Sequence, residues 1–230
     1  MRLILVRHGQ PDYKQDCLTG LGHLQAAATA ERLKTEGISQ IYASPMGRAQ
    51  ETADYTANML QIPVQTLPFM HEISFRPMQE GDELPHNGNP WLNVFDRISE
   101  GNSLHPSNWQ TEYPFSQSRV VPSVNHIIEN FDKWIEGFGY VREGDYYRVT
   151  RECDQTIALF SHAGSSMAVV SHMFNLSYLF ACSALSPDVT GITVIKLDGQ
   201  VGELIAPGFE ILNDARHIYH LKEASAVPNE

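Results

Sequence analysis

The stretch Arg2-Leu3-Ile4-Leu5-Val6-Arg7-His8-Gly9 sets the fold. Four unbroken apolar residues, closed by basic residues and a glycine, fit a strand covered on both faces. Such strands belong to parallel sheets, whereas half-exposed strands alternate apolar with polar. The pattern returns at residues 156–160, where an apolar run leads into Ser161-His162-Ala163-Gly164, and in shorter form at 40–44, ahead of Pro45. Residues 63–67 read as a further short strand. Between them, residues 21–33 are rich in Ala, Leu, Gln and Glu, which favours helix, and Gly37 closes that helix. Pro45 suits the first turn of a second helix over 46–60. Strands alternating with helices predict an α/β fold with a mostly parallel central sheet.

Outward from these segments the signals weaken. Residues 10–20 read as a loop. From Arg76 the chain is punctuated by Pro77, Gly81, Pro85, Gly88, Pro90, Gly101 and Pro106. A helix is expected near 91–98. Another is expected over 120–135, where Val120, Val121, Val124, Ile127, Ile128, Phe131, Trp134 and Ile135 have helical spacing. Residues 76–150 are read as a cap-like insertion within a single domain spanning 1–230, since no linker-like run isolates them. Trp91, Phe95, Trp109, Tyr113 and Phe115 in this insertion either form a small satellite core or select a substrate with a planar part. Arg76 and Arg119 are either anion contacts or solvated charges. Helices are expected at 165–174 and 177–182. Residues 191–197 and 201–206, joined at Asp198-Gly199, read as a hairpin.

Bulk properties bound the function. The 230 residues carry 16 basic and 27 acidic side chains, a formal charge of −11, with 42% hydrophobic and 19% charged residues. That suits a folded core. It argues against nucleic acid or an anionic membrane as partner, since both need a basic footprint. Cys17, Cys153 and Cys182 fit no zinc spacing and are an odd number, so reduced thiols are expected. The opening apolar run is too short for a signal-peptide core. The reading is a soluble, cytoplasmic protein. An exposed edge strand near 191–206 would suit a homodimer.

In open α/β sheets ligands bind beyond the carboxyl ends of strands. If the strands at 2–6, 40–44 and 156–160 are parallel neighbours, Arg7, His8, Arg48 and His162 converge on one rim. Neutral imidazole is a good nucleophile at neutral pH. Guanidinium presents a rigid fork matched to phosphate oxygens. Phosphoryl transfer is largely positioning and charge stabilisation, which cationic side chains can supply.

Leu5-Val6-Arg7-His8-Gly9-Gln10 resembles the signature of the histidine phosphatase superfamily, which includes the cofactor-dependent phosphoglycerate mutases. Further ordered stretches are similar to that family: Leu18-Thr19 with Gly22, Gln25 and Ala26; Ser44-Pro45-Met46-Gly47-Arg48-Ala49 with Thr52-Ala53; His71-Glu72-Ile73 with Glu80-Gly81; Ser161-His162-Ala163-Gly164; and Asn213-Asp214 with His217. The resemblance implies a phosphoglycerate mutase-like three-layer sandwich, its central sheet flanked by helices. It implies that His8 is phosphorylated, that Arg7 and Arg48 grip phosphoryl oxygens and that His162 stabilises the transferring group. Gln10 and Ser44 are expected among the substrate-binding residues. Glu72 is implied as general acid and base, with Glu80 on the same segment as the alternative. Partial burial would raise its pKa for the first task.

Three positions depart from the family pattern: Lys14 stands where many members have Asn, Gln10 where Glu is commoner, and Ala163 where the first glycine of the pair is expected. Lys14 either meets phosphate as a point charge or faces solvent. His71, His172, His217 and His220 are expected to be non-catalytic. A metal at His8 and His162 lacks an acidic third ligand and would be repelled by the arginines, so no metal and no cofactor is expected. The expected activity is hydrolysis of a small phosphorylated metabolite. A phosphoglycerate mutase and a non-catalytic phospho-ligand or protein-binding module are the alternatives. The few basic residues of the insertion speak against a mutase.

Overall fold

The computed structural model describes residues 1–221. In chain order these form β1 (Arg2–Arg7), β2 (Pro11–Asp12), β3 (Cys17–Leu18), α1 (Gly20–Leu33), β4 (Ile38–Ala43), α2 (Gly47–Leu60), β5 (Val64–Thr66), α3 (Pro90–Ser99), α4 (Val120–Glu136), β6 (Tyr140–Glu143), β7 (Tyr146–Val149), β8 (Thr156–Ser161), α5 (Ala163–Met173), α6 (Tyr178–Ala184), β9 (Ile192–Lys196), β10 (Leu204–Ile205) and β11 (Gly208–Asp214).

Six strands make the central sheet, in the order β11-β9-β1-β8-β4-β5. β1, β8, β4 and β5 run parallel, while β9 and β11 run antiparallel at one side. The continuous apolar run of β1 follows from its place inside the sheet, because its alternate side chains serve two cores. Ile4 and Val6 pack with Ala158, Phe160 and residues of α1 and α2 such as Leu33, Ala53 and Ala57. Leu3 and Leu5 pack with Leu159 and with α4, α5 and α6, through residues such as Ile127, Phe131, Val169 and Leu179. The result is three layers: helices, sheet, helices. On α4 the buried residues are Val120, Val124, Ile127, Phe131 and Ile135. Cutting Phe131 to Ala in such a setting costs about 3–5 kcal/mol.

The stretch 76–150 has three kinds of structure. Residues 76–119 are loops, short 3-10 turns and α3. α4 belongs to a helical layer of the sandwich. β6 and β7 form a hairpin that joins β10 in a small separate sheet. The aromatic residues divide accordingly. Trp109 and Phe115 are buried in the main core, edge to face at 5.8 Å, and Trp109 stacks on Tyr178 of α6 at 5.4 Å. Phe95 and Tyr113 are exposed.

One strand pairing differs from expectation. β9 does not pair with residues 201–206. Its antiparallel partners are β1 and β11, while β10 pairs with β7. The chain turns at residues 200–203, where Glu203 N–H donates to the Gln200 carbonyl at 3.0 Å and Gly202 adopts φ +92°. Gly202 N–H donates to Val149 O at 2.7 Å, which ties the turn to β7. β9 therefore lies inside the sheet, and the edge strand on that side is β11.

Candidate active site

The carboxyl ends of β1, β8 and β4 lie side by side. Arg7 is in register with Ser161, and Ala43 with Phe160. This brings His8, Arg7, Arg48, Ser44 and His162 together, as the strand pattern predicts. His8 follows β1, with its backbone fixed on both sides. Its N–H donates to Ser161 O at 2.9 Å, and its carbonyl accepts from Thr190 N at 3.3 Å. Gly9 N–H then donates to the Thr52 hydroxyl of α2 at 3.1 Å. Gly9 also abuts Gly22, where a Cβ on Gly22 would sit 2.2 Å from Gln10 O. Backbone contact at that distance leaves room for glycine alone.

The hydrogen bonds of the His8 ring define its tautomer. Nδ1 lies 2.7 Å from Gly9 O, an acceptor, and Nε2 lies 3.3 Å from Arg48 Nε, a donor. Nδ1 therefore carries the proton, and Nε2 presents its lone pair. Burial, with smaller contributions from the Arg7 and Arg48 charges, lowers the His8 pKa to about 3, against the opposing bond to Gly9. The neutral, nucleophilic form is thus held at neutral pH.

Arg48 is buried in the first turn of α2. Its guanidinium is paired with Asp16, touches Met46 Sδ and lies over the Tyr13 ring at 5.4 Å. Asp16 also accepts from Gly47 N at 2.8 Å. It thereby ties the 10–20 loop to α2 and aims Arg48. Arg7 donates from Nη1 to Pro187 O at 2.8 Å, while its buried Nε has no partner.

His162 caps the gap between β8 and α5, its ring 5.1 Å from that of His8. Its Nε2 lies 2.7 Å from Ser44 Oγ, which accepts from Met46 N at 3.3 Å. Nδ1 of His162 is buried without a partner, and with the Ser44 hydroxyl donating to Nε2 it would carry the ring proton. Burial, followed by the charges of His8 and Arg48, holds the His162 pKa well below the ordinary imidazole value. Ser44 thus braces the His162 ring.

Glu72 sits against the start of α5. Its carboxylate accepts from Ser165 N at 3.1 Å, Gly164 N at 3.4 Å and its own neighbour Ile73 N at 2.9 Å. Burial raises its pKa, against these donors and the charge of Arg48. A Cβ on Gly164 would lie 2.6 Å from Glu72 Oε1 and 2.5 Å from Ile73 Cγ1. This is why Gly164 is kept while Ala163 fits in place of the other glycine.

A cavity of about 990 Å³ opens over this rim. Arg7, Arg48, Glu72, Ala163, Met46 and Tyr13 line one part; Ser74, Phe75, Arg76, Asn87, Asn89, Trp91 and Arg119 line the other. His8 and His162 do not line it themselves; they lie directly behind Arg7, Arg48 and Ala163. Glu72 lines the cavity, whereas Glu80 is exposed and outside it. Gln10 is also outside. It is exposed, and its Oε1 accepts from the Thr19 hydroxyl that caps α1 at 2.8 Å. Lys14 is exposed and does not reach the cavity.

His172 pairs with Asp132 at 2.9 Å and His217 with Thr29 at 3.1 Å, both away from the cavity. Asn213 has a structural task. It accepts from Asp188 N at 2.8 Å and so braces the loop whose Pro187 carbonyl holds Arg7. Asp16, Tyr13 and Met46 were not singled out for this site by the sequence; Trp91, one of the insertion aromatics named there, does line the cavity. Among the described residues no three or more His, Cys, Asp or Glu side chains gather as a metal-ligand set.

An imidazole whose Nε2 accepts from Arg48, two guanidiniums of a shape matched to phosphate oxygens and a carboxyl group with raised pKa thus stand together at the strand ends. The chain belongs to the histidine phosphatase superfamily (branch 1), whose family model matches residues 3–135. It is 25% identical over 213 residues to the protein named "Putative phosphoserine phosphatase 2" of Hydrogenobacter thermophilus, covering 89% of this chain and 93% of that one. It is 30% identical over 89 residues to the probable phosphoglycerate mutase of Proteus mirabilis. That match covers 35% of this chain and 41% of the mutase, and a match to the Yersinia enterocolitica mutase covers 39% of it. Among solved structures, mycobacterial glucosyl-3-phosphoglycerate phosphatase superposes with a TM-score of 0.64 at 21% identity, over 92% of this chain and 98% of that one. The alpha-ribazole phosphatase of Shigella flexneri superposes at 0.62 with 18% identity, over 94% and 97%. No helix among the described residues is long and apolar enough to cross a membrane.

Proposed function

We propose that the protein is a phosphatase that hydrolyses a small phosphomonoester through a phosphohistidine at His8. The observation that carries this is the hydrogen-bonding of the His8 ring. Nδ1–H is anchored on Gly9 O, and Nε2 is left as a lone pair beside two arginines. In the first step Arg7 and Arg48 hold the phosphoryl oxygens, with Nδ1–H of His162 as a further donor. Arg48 gives up its contact with Nε2, and Nε2 attacks phosphorus in line. The bond to the ester oxygen breaks, and Glu72 protonates that oxygen as it leaves. In the second step ionised Glu72 takes a proton from water, which displaces His8 and releases inorganic phosphate. The donors are in place before charge moves, which is where such sites gain most of their rate.

The positive charge that draws phosphate comes from side chains, so EDTA is expected to leave the rate unchanged. The test is hydrolysis of p-nitrophenyl phosphate from pH 5 to 8 with EDTA present. Wild type is expected to turn over and His8→Ala to lose at least about four orders of magnitude in kcat, the scale seen when a nucleophile is removed. A His8→Ala protein with unchanged kcat would sink the mechanism. Loss of wild-type activity in EDTA, restored by a divalent ion, would revive a metal. One observation favours a mutase as the second reading: Arg76 and Arg119, from the stretch judged poor in basic residues, both line the cavity. Isomerised phosphoglycerate in place of inorganic phosphate as product would decide for it.

A further inference from the structure

Two parts of the cavity wall carry arginines, and the phosphoryl group accounts for only one pair. Arg76 and Arg119 come from separate segments clipped together backbone to backbone. Arg119 N donates to Arg76 O at 2.9 Å, Met78 N donates to Gln117 O at 2.8 Å, and Pro77 bridges Ser118. The clip sets two like charges side by side. Elsewhere in this acidic chain Arg142 and Arg151 bond through their guanidiniums to Asn175 and Gly137, and Arg2, Arg32, Arg97, Arg148 and Arg216 each pair with a carboxylate. Among the described residues Arg76 and Arg119 have no such partner, and the one side-chain bond at either is Arg119 Nε to the Pro77 carbonyl at 3.4 Å. Arg119 also borders a smaller cleft of about 370 Å³ with His71 and His126, which adds no carboxylate.

The cavity lining therefore holds four arginines against the single carboxylate Glu72. Its volume of about 990 Å³ far exceeds a phosphoryl group and matches pockets that enclose a whole small molecule. Trp91 stands in the same wall with its indole N–H donating to Ser186 Oγ at 3.2 Å, which fixes the ring. A dianionic phosphoryl group held by Arg7 and Arg48 leaves Arg76 and Arg119 unmatched. Guanidiniums in that position recognise a carboxylate or a second phosphate.

We propose that the substrate is a phosphomonoester bearing a second anionic group, carboxylate or phosphate, and that Arg76 and Arg119 bind that group. This rests on the phosphatase reading of the same cavity. The test uses matched substrates: 3-phosphoglycerate against glycerol 3-phosphate for a carboxylate, and fructose 1,6-bisphosphate against fructose 6-phosphate for a phosphate. Inorganic phosphate release is measured for wild type and for Arg76→Gln/Arg119→Gln. Wild type is expected to favour the doubly anionic member of at least one pair by about tenfold or more in kcat/KM, as charge-assisted bonds of this kind permit. That ratio is expected to fall toward one in the double variant. The pair that responds names the second anion. A wild-type ratio near one for both pairs, or a preference that survives in the double variant, overturns the proposal. Calorimetric binding of the same four compounds, with and without the two substitutions, separates the two claims. Binding that favours the doubly anionic ligands through Arg76 and Arg119, without turnover, would keep this site and discard the phosphatase. Turnover without that preference would do the reverse.

Discussion

The rim at the ends of β1, β4 and β8 and the wall made by residues 76–119 line a single cavity, and they are built differently. On the rim, His8, Arg48 and His162 are buried, and each is braced by bonds from another element: Gly9 and Arg48 for His8, Asp16 for Arg48, Ser44 for His162. On the wall, Arg76 and Arg119 are exposed on loops, and the scaffold holds their backbones more than their side chains. Buried, cross-bonded groups keep one geometry, which reaction chemistry demands. Loop residues can change without disturbing the sheet, which suits selection among substrates. Under the proposed function, this difference suits the rim to chemistry and the wall to discrimination.

The largest effect expected on the rim short of losing His8 is at Glu72. Glu72→Gln should lower kcat for an alkyl phosphomonoester by about 10²–10⁴-fold, the usual worth of a general acid or base. With p-nitrophenyl phosphate, whose leaving group needs little protonation, stopped flow should show a burst of nitrophenolate followed by slow turnover. An equal loss on both substrates without a burst would remove Glu72 from the second step. Gly164→Ala comes next. Its Cβ would lie 2.6 Å from Glu72 Oε1, and displacing that carboxylate should cost about tenfold or more in kcat. Ala163→Gly, one residue earlier, should keep most of the activity. Similar rates for the two variants would mean that Glu72 need not be held against α5.

Stability should record the same burial. The His8 pKa is lowered to about 3 in the folded chain against an ordinary value of about 6.5. Between those values the unfolded chain binds a proton that the folded one refuses. The contribution is therefore present above about pH 6.5 and is lost progressively as pH falls toward 3. At pH 5 the loss is about 2 kcal/mol. Denaturant titrations at pH 7 and pH 5 should show His8→Ala losing less stability between the two than wild type. An identical drop in both proteins would mean that His8 titrates normally. The smallest effect is expected outside the cavity. Gln10→Ala and Lys14→Ala should each change kcat/KM by less than about twofold, because neither lines the cavity and only contacts made to the reacting substrate change the rate. A large loss at either would mean that the 10–20 loop closes onto substrate.

What the sequence discloses follows the same division. Strands buried on both faces write themselves as apolar runs, so β1, β4 and β8 and the residues ending them were legible. Helices such as α4 showed one apolar stripe. The wall was not legible, because 3-10 turns and loops have no periodicity and the clip joining Arg76 to Arg119 links positions far apart in the chain. Asp16 escaped for a similar reason, since a loop carboxylate is conspicuous only once its guanidinium partner is known. The hydrogen bonds of Gln10 to Thr19 and of Ser44 to His162 were not legible either, because adjacency to the nucleophile does not say which way a side chain turns. The Asp198-Gly199 turn misled, since the dipeptide marks a change of direction without naming the strand that takes up the pairing.

The central claim is that the phosphoryl group passes through His8. The most direct measurement is to mix Glu72→Gln enzyme with p-nitrophenyl phosphate, quench in alkali within the first turnover and map the modified peptide by mass spectrometry. The account predicts one phosphate on the peptide carrying His8, stable in alkali and lost in acid, and none in His8→Ala. Phosphate on another residue, or wild-type turnover that retains no phosphorylated protein and inverts configuration at phosphorus, would contradict it.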